Sequence, residues 1–127
     1  YALGDWALSA SYALSDARIT GTNAARALNG LRPAQVPKHM ASATLGWRTA
    51  SLTGRYVSAQ FEDDANSRRL GSTFTIDGLV AVPLSKRVSL VLRGENLADK
   101  TVDTAISATG VVERATPRTL WVVIRIN

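Results

Sequence analysis

His39 is the only histidine in the chain and cysteine is absent, so few side chains are equipped for acid–base, nucleophilic or metal chemistry. A histidine can serve as a ligand or a general base. Alone beside Lys38 at the start of a strand, His39 reads instead as a solvated rim residue. The one acidic cluster, Glu62-Asp63-Asp64, falls in a connecting segment and reads as a solvated loop tip. A calcium site is the alternative, and it would need further convergent oxygens. Gly30, Gly71 and Gly110 stand singly and make no phosphate-binding loop. One histidine cannot supply an argued Ser–His–Asp arrangement. The expectation is no catalytic centre, no metal, no cofactor and no enzymatic activity.

The charges that stand inside regular segments are more informative. Arg55, Asp77, Arg93, Glu95 and Arg125 all fall on one parity of alternating runs whose other parity is apolar. In the simplest hairpin register Asp77 lies across from Glu95, and like charges so placed repel. Arg93, two positions away on the same face, offers compensation, and Arg55 and Arg125 from neighbouring strands can contribute. The first reading is a structural network along a wall; the second is a path for a charged substrate.

Six runs position these residues. They are 5–15, 38–48, 51–61, 72–84, 88–97 and 118–127, each with period-2 alternation and each about 10 to 13 residues, long enough to cross a bilayer when tilted. Their apolar rows hold 27 positions, among them Trp6, Leu8, Leu45, Trp47, Leu52, Val80, Leu92 and Ile124, and none is charged. At the chain's 20% charged content, about five charges would fall there if placement ignored the faces. A lipid-facing row excludes them, because a mid-membrane Arg or Lys costs roughly 2–4 kcal/mol. A soluble sandwich core would exclude them too, so the aromatics help to decide. Trp6 and Trp47 fall at one end of the strands, and Tyr12, Phe61 and Phe74 toward the other, as two interfacial girdles would.

The connections alternate: 16–37, 62–71 and 98–117 are long or medium, whereas 49–50 and 85–87 are short. Long loops at one end and tight turns at the other are the plan of an outer-membrane barrel. Pairing Trp47 with Leu52 and Leu84 with Val88 matches apolar face to apolar face in both tight hairpins. Composition allows this reading. The 127 residues are 46% hydrophobic, with a net charge of +5 and a mean hydropathy near zero. No apolar run approaches a transmembrane helix, which says nothing against a barrel. The chain opens on Tyr1 without a leader-like segment, which suggests a piece of something longer. Six strands are also fewer than the roughly eight of the smallest bacterial barrels, and an open edge cannot lie in hydrocarbon. The fold class is therefore all-β: six antiparallel up-and-down strands forming part of a larger transmembrane barrel.

The segments GENLADK and ATPRTLWVVIRIN resemble the C-terminal end of TonB-dependent outer-membrane receptors. Asn96, Leu97, Asp99 and Lys100 match that family's Asn-Leu-x-Asp-Lys pattern after the penultimate strand, and Pro117-Arg118 match the pair that opens the last strand. VPKH at 36–39 and the Asp77 strand are similar as well, so the resemblance covers nearly the whole chain. It implies a barrel of about 22 strands around an N-terminal plug. It also implies import of a scarce nutrient, such as a ferric siderophore, energised through TonB. The implied partners are outer-membrane lipid, the plug and remaining strands, TonB through an N-terminal segment, and the barrel-assembly machinery through the last strand. Family last strands usually end on an aromatic residue, so one is expected to follow Asn127.

Two other classes compete. A self-contained soluble β-domain could use the positive charge to bind an acidic partner. Its arginines scatter through loops without interleaved aromatics, however, and nucleic acid is not expected. A porin or an autotransporter would share the strand pattern. Arg18, Arg26, Arg32, Arg68, Arg69 and Arg114 lie in loop regions and suit either an anionic ligand or outer-leaflet phosphates.

Overall fold

The computed structural model describes residues 1–126, apart from the side chain of Leu3. Eleven strands form in chain order: β1 (Ala2–Leu3), β2 (Trp6–Leu14), β3 (His39–Trp47), β4 (Ala50–Val57), β5 (Gln60–Phe61), β6 (Arg69–Leu70), β7 (Thr73–Pro83), β8 (Val88–Glu95), β9 (Asp103–Ile106), β10 (Val112–Arg114) and β11 (Thr119–Ile126). The six expected runs are β2, β3, β4, β7, β8 and β11. With β1 they make one antiparallel meander in the order β1-β2-β3-β4-β7-β8-β11. Asn127, and with it the expected aromatic ending, lies outside the described residues.

The register aligns the apolar parity across the sheet. Leu8, Leu45, Leu52, Gly78, Gly94 and Leu120 form one row, and Trp6, Trp47, Ala50, Val80, Leu92 and Val122 the next. Tyr12, Ala41, Tyr56 and Phe74 align toward the long-loop end, while the Trp6 and Trp47 rings sit 5.9 Å apart at the other. No second layer covers this face among the described residues. Among the described residues the buried apolar ones are only Leu70 and Val91, whereas Leu120, Val122, Ile124 and Ile126 are each about two-thirds exposed or more. A soluble sandwich hides its row against a facing sheet; this sheet presents its row outward.

The tight turns test the expected registers. Pro83 pairs with Ser89, so Val82 meets Leu90 and Val80 meets Leu92, as expected. In the other hairpin Trp47 pairs with Ala50 and Leu45 with Leu52, two residues away from the expected Trp47–Leu52 register. A two-residue shift leaves every side chain on its own face, so face-matching could not detect it. The turn decides. Arg48 takes φ +50°, its N–H donates to Asp5 O at 3.1 Å, and its Nε donates to Asp5 Oδ2 at 2.9 Å. Those bonds hold a two-residue connection.

The end of the third run also differs. The third run ends at Val57 rather than Phe61, because Ser58 leaves the ladder: its hydroxyl accepts the His39 N–H at 2.9 Å, and its own N–H donates to His39 O at 2.9 Å. Phe61 belongs instead to the small β5–β6 hairpin. The long loops carry structure of their own, a 3-10 helix at Asn23–Leu28 and the β9–β10 hairpin.

Candidate functional site

The face opposite the apolar row is small and polar in its loop-side half. Ser9, Thr44, Thr53 and Asp77 share one row, and Ser11, Ser42, Arg55 and Thr75 the next. Hydroxyls pair across strands here, Ser11 with Ser42 at 2.8 Å and Thr44 with Thr53 at 2.9 Å. Such pairs stabilise a sheet while presenting a wettable surface.

Four of the five expected charges come together on this face. Arg55 Nη1 is ion-paired with Asp77 Oδ2, and the other Asp77 oxygen accepts the Asn96 N–H at 2.9 Å. Glu95 is bound by Arg93 at 2.7 Å. The expected opposition of Asp77 and Glu95 is not a ladder pair. Pairing between β7 and β8 stops at Gly78–Gly94, and each carboxylate holds its own arginine. Arg125 stands apart, opposite Ser89 near the short-turn end, and makes no ion pair among the described residues. The arrangement is a wall of compensated charges on small side chains. Among the described residues no three metal-ligating side chains converge.

The motif residues form the corner where β8 leaves the sheet. Asn96 takes φ +49°, which ends the strand; its Nδ2 donates to Lys100 O at 2.8 Å and its Oδ1 accepts the Lys100 N–H at 3.0 Å. Asp99, at φ +50°, accepts the Arg118 N–H at 3.1 Å just before β11, with the Arg118 guanidinium 3.9 Å from its carboxylate. Pro117 O accepts the Thr119 hydroxyl at 3.0 Å. Leu97 turns to the apolar face and covers Gly78 and Gly94. The motif thus ties the end of one strand to the start of the next across a long excursion.

Above the sheet the loops are joined by residues 62–70. The acidic cluster is a brace rather than a solvated tip. Glu62 accepts two contacts from Gln35 Nε2 at 3.1 and 3.2 Å, and Asp64 Oδ1 accepts the Ala34 N–H at 2.7 Å. Asp63 accepts from the Ser67 N–H and hydroxyl at 3.0 and 2.9 Å and from the Arg68 N–H and Nε at 2.8 and 3.0 Å. The Ser67 N–H, reinforced by Arg68 and the Ser67 hydroxyl, holds the Asp63 carboxyl far below the usual carboxylate range against the opposing pull of partial burial. Asn66 clasps the first loop, with Nδ2 to Arg32 O at 2.7 Å and Oδ1 from the Arg32 N–H at 3.0 Å, while Arg68 Nη1 reaches Ile106 O in the third loop at 3.1 Å. Asn66 and Ser67 were not singled out from sequence, although Asp-x-x-Asn-Ser is a turn-forming composition.

The remaining expected residues fall as follows. Arg18, Arg68 and Arg114 are ion-paired with Asp16, Asp63 and Asp103 at 3.7, 3.0 and 3.4 Å, so they are not a free cationic set; Arg26, Arg32 and Arg69 make no ion pair among the described residues. His39 is half-buried at the loop end of the apolar face, with Nδ1 2.8 Å from the Tyr12 hydroxyl.

Comparison with known proteins agrees with this geometry. Residues 1–97 match the family model for the TonB dependent receptor-like β-barrel. The chain is 35% identical over 97 residues to the ferrichrome outer membrane transporter/phage receptor of Escherichia coli strain K12, an alignment covering 69% of this chain and 12% of that relative. The fold superposes on the siderophore receptor PiuA of Acinetobacter baumannii with TM-score 0.85 at 22% identity, covering 98% of this chain and 20% of that one. It superposes on the ferric yersiniabactin uptake receptor FyuA of Yersinia pestis with TM-score 0.84 at 21% identity, covering 98% and 21%. An outward apolar row, a polar opposite face and loops gathered at one end are what such a barrel wall requires, and the chain belongs to the TonB-dependent receptor β-barrel family of the bacterial outer membrane.

Proposed function

We propose that the chain is the C-terminal part of the barrel of an outer-membrane receptor that imports a ferric siderophore with energy delivered through TonB. The observation that carries this reading is the division of one single-layered sheet into an uncharged outward face and a face of hydroxyls and compensated ion pairs. An outward row with no charge suits lipid. The opposite face, with Arg55, Asp77, Arg93 and Glu95, lines the lumen and supports an N-terminal plug, while Arg125 lies near the periplasmic mouth. The remaining strands complete the pairing along β2 beyond β1 and along the free edge of β11, since hydrocarbon does not tolerate unpaired backbone. The barrel-assembly machinery engages the last strand. The braced loops at 16–37, 62–71 and 98–117 face outside and form part of the cargo-binding surface.

The test is growth of iron-limited cells that carry the whole gene as their only receptor of this kind. Uptake of a labelled ferric siderophore that disappears when TonB is deleted is the expected result. A heat-modifiable outer-membrane band without any siderophore-dependent uptake would retain the barrel and overturn the cargo. Uptake that persists without TonB would overturn the energised mechanism and favour a passive pore.

A further inference from the structure

The outward face is not smooth. At its centre lies a groove of about 580 Å³ whose lining is almost wholly apolar, within the roughly 300–1,000 Å³ range of small-ligand sites. Gly78 and Gly94 lie side by side on neighbouring strands, on the row between Leu52 and Leu120, and the Leu97 side chain occupies the space that their missing side chains leave. Leu97 folds back over both glycines and stands at one end. Trp6 and Trp47 stand at the other, with the Arg48 guanidinium 5.3 Å from the centre of the Trp47 ring.

We infer that this groove holds one acyl chain of a phospholipid from the inner leaflet of the outer membrane, with the headgroup phosphate at Arg48. The inference rests on the barrel reading, in which this face meets lipid. Hydrocarbon is then the only medium available to fill the slot, and an unfilled slot forfeits dispersion contacts along its whole wall. The groove is continuous with the uncharged rows on either side, so a chain enters sideways without passing a polar barrier. Its cationic end fixes the leaflet. Arg48 lies in a two-residue turn, and short turns face the periplasm. Asp5 engages Arg48 through Nε at 2.9 Å, which leaves the terminal guanidinium nitrogens for a phosphate oxygen.

The whole receptor is reconstituted in vesicles of phosphatidylethanolamine bearing a photoactivatable group on one acyl chain, and the labelled residues are mapped. Labelling of Leu52, Val80 and Leu92 several-fold above Ile124 and Ile126 is expected, since a chain seated along the groove wall gains dispersion contacts that bulk lipid passing Ile124 and Ile126 does not make. Equal labelling along the face would overturn the groove and leave the lipid-facing wall standing; no labelling anywhere on the face would overturn the barrel reading itself. Leu92→Trp fills the slot and should bring Val80 down to the level of Ile124, with folding checked by mobility before and after boiling. Replacing the lipid with a diacylglycerol of the same chains should weaken the labelling in the wild type and leave Arg48→Asn unchanged; identical labelling of the wild type by both lipids would overturn the headgroup contact. Lipopolysaccharide rather than phospholipid retained by the purified receptor and lost in Leu92→Trp would overturn the leaflet assignment.

Discussion

Leu97 lies on the apolar face directly over Gly94, although simple alternation from Val91, Arg93 and Glu95 would send it to the polar side. The left-handed Asn96 redirects the chain and makes the contact. A Cβ at residue 94 would collide with Leu97 Cδ2 and lie 3.2 Å from Leu120 Cδ2. Gly94→Ala is therefore expected to destabilise the whole receptor by about 1–3 kcal/mol through overpacking. Because the obstruction is the end of one flexible side chain, Gly94→Ala combined with Leu97→Ala should be less unstable than the sum of the two single changes. Urea midpoints of the four proteins measure that coupling, and strict additivity would show that Leu97 does not meet residue 94.

The loop brace is expected to depend on the charge of Asp63. Its carboxyl sits far below the usual range because four donors from Ser67 and Arg68 converge on the charged form. A folded-state value depressed below the unfolded one means that its stabilisation is fully present above the ordinary carboxylate pKa, about 3.9. It is lost only as pH falls below that value toward the folded one. Hydrogen exchange of residues 62–70 should stay slow from neutral pH down to the ordinary carboxylate range and accelerate beneath it, after correction for intrinsic exchange. Asp63→Asn should open the segment already at neutral pH, and the Ala34 N–H, held by the neighbouring Asp64, should lose protection with it. Unchanged protection in the variant would show that the backbone holds the loop unaided.

Much of the wall was legible in the sequence because two independent patterns agree. Alternation assigned every long strand to a face, and the Leu84–Val88 turn placed Val80 opposite Leu92. The Trp47 hairpin stands two residues from its expected register because period-2 matching is blind to an even shift; only the Asp5–Arg48 contact, from the turn that precedes β2, selects the shorter turn. The loop brace escaped for a different reason. Its bonds join side chains to backbone over separations of 34 and 38 residues, Asn66 to Arg32 and Arg68 to Ile106, and no periodicity records such contacts. The ion pairs were half legible. Shared parity identified Arg55, Asp77, Arg93 and Glu95, but the left-handed Asn96, which ends β8 and donates its N–H to Asp77, set the partners.

The two ends of the Arg55–Asp77 pair should respond differently to removal. Asp77 also accepts the Asn96 N–H at 2.9 Å, and its side chain is the less exposed, at 23% against 55% for Arg55. Asp77→Ala leaves that N–H without its acceptor and is expected to cost about 1–3 kcal/mol. Arg55→Met leaves the N–H satisfied and removes an ion pair largely open to solvent, so about 0–1 kcal/mol is expected. Asp77→Asn keeps an acceptor for Asn96 and should resemble Arg55→Met. Unfolding in urea ranks the three, and an Asn variant as unstable as the Ala variant would place the weight on charge instead.

Asn96 supports two separable predictions, one for backbone shape and one for hydrogen bonding. At φ +49° it occupies a region where asparagine and glycine are the favoured residues. Its amide also closes a ring with the Lys100 backbone through bonds of 2.8 and 3.0 Å. Asn96→Gly keeps the permitted conformation and loses both bonds, at about 1 kcal/mol each. Asn96→Ala loses the same bonds and adds the cost of a left-handed alanine, about 1–2 kcal/mol more. Asn96→Asp keeps one acceptor for the Lys100 N–H, turns the Nδ2 donor into an oxygen facing Lys100 O, and should fall beside or below glycine. The order wild type, glycine, alanine in resistance to unfolding is the expected result. Glycine equal to wild type would show that the corner is held by backbone geometry alone, with the amide ring adding nothing.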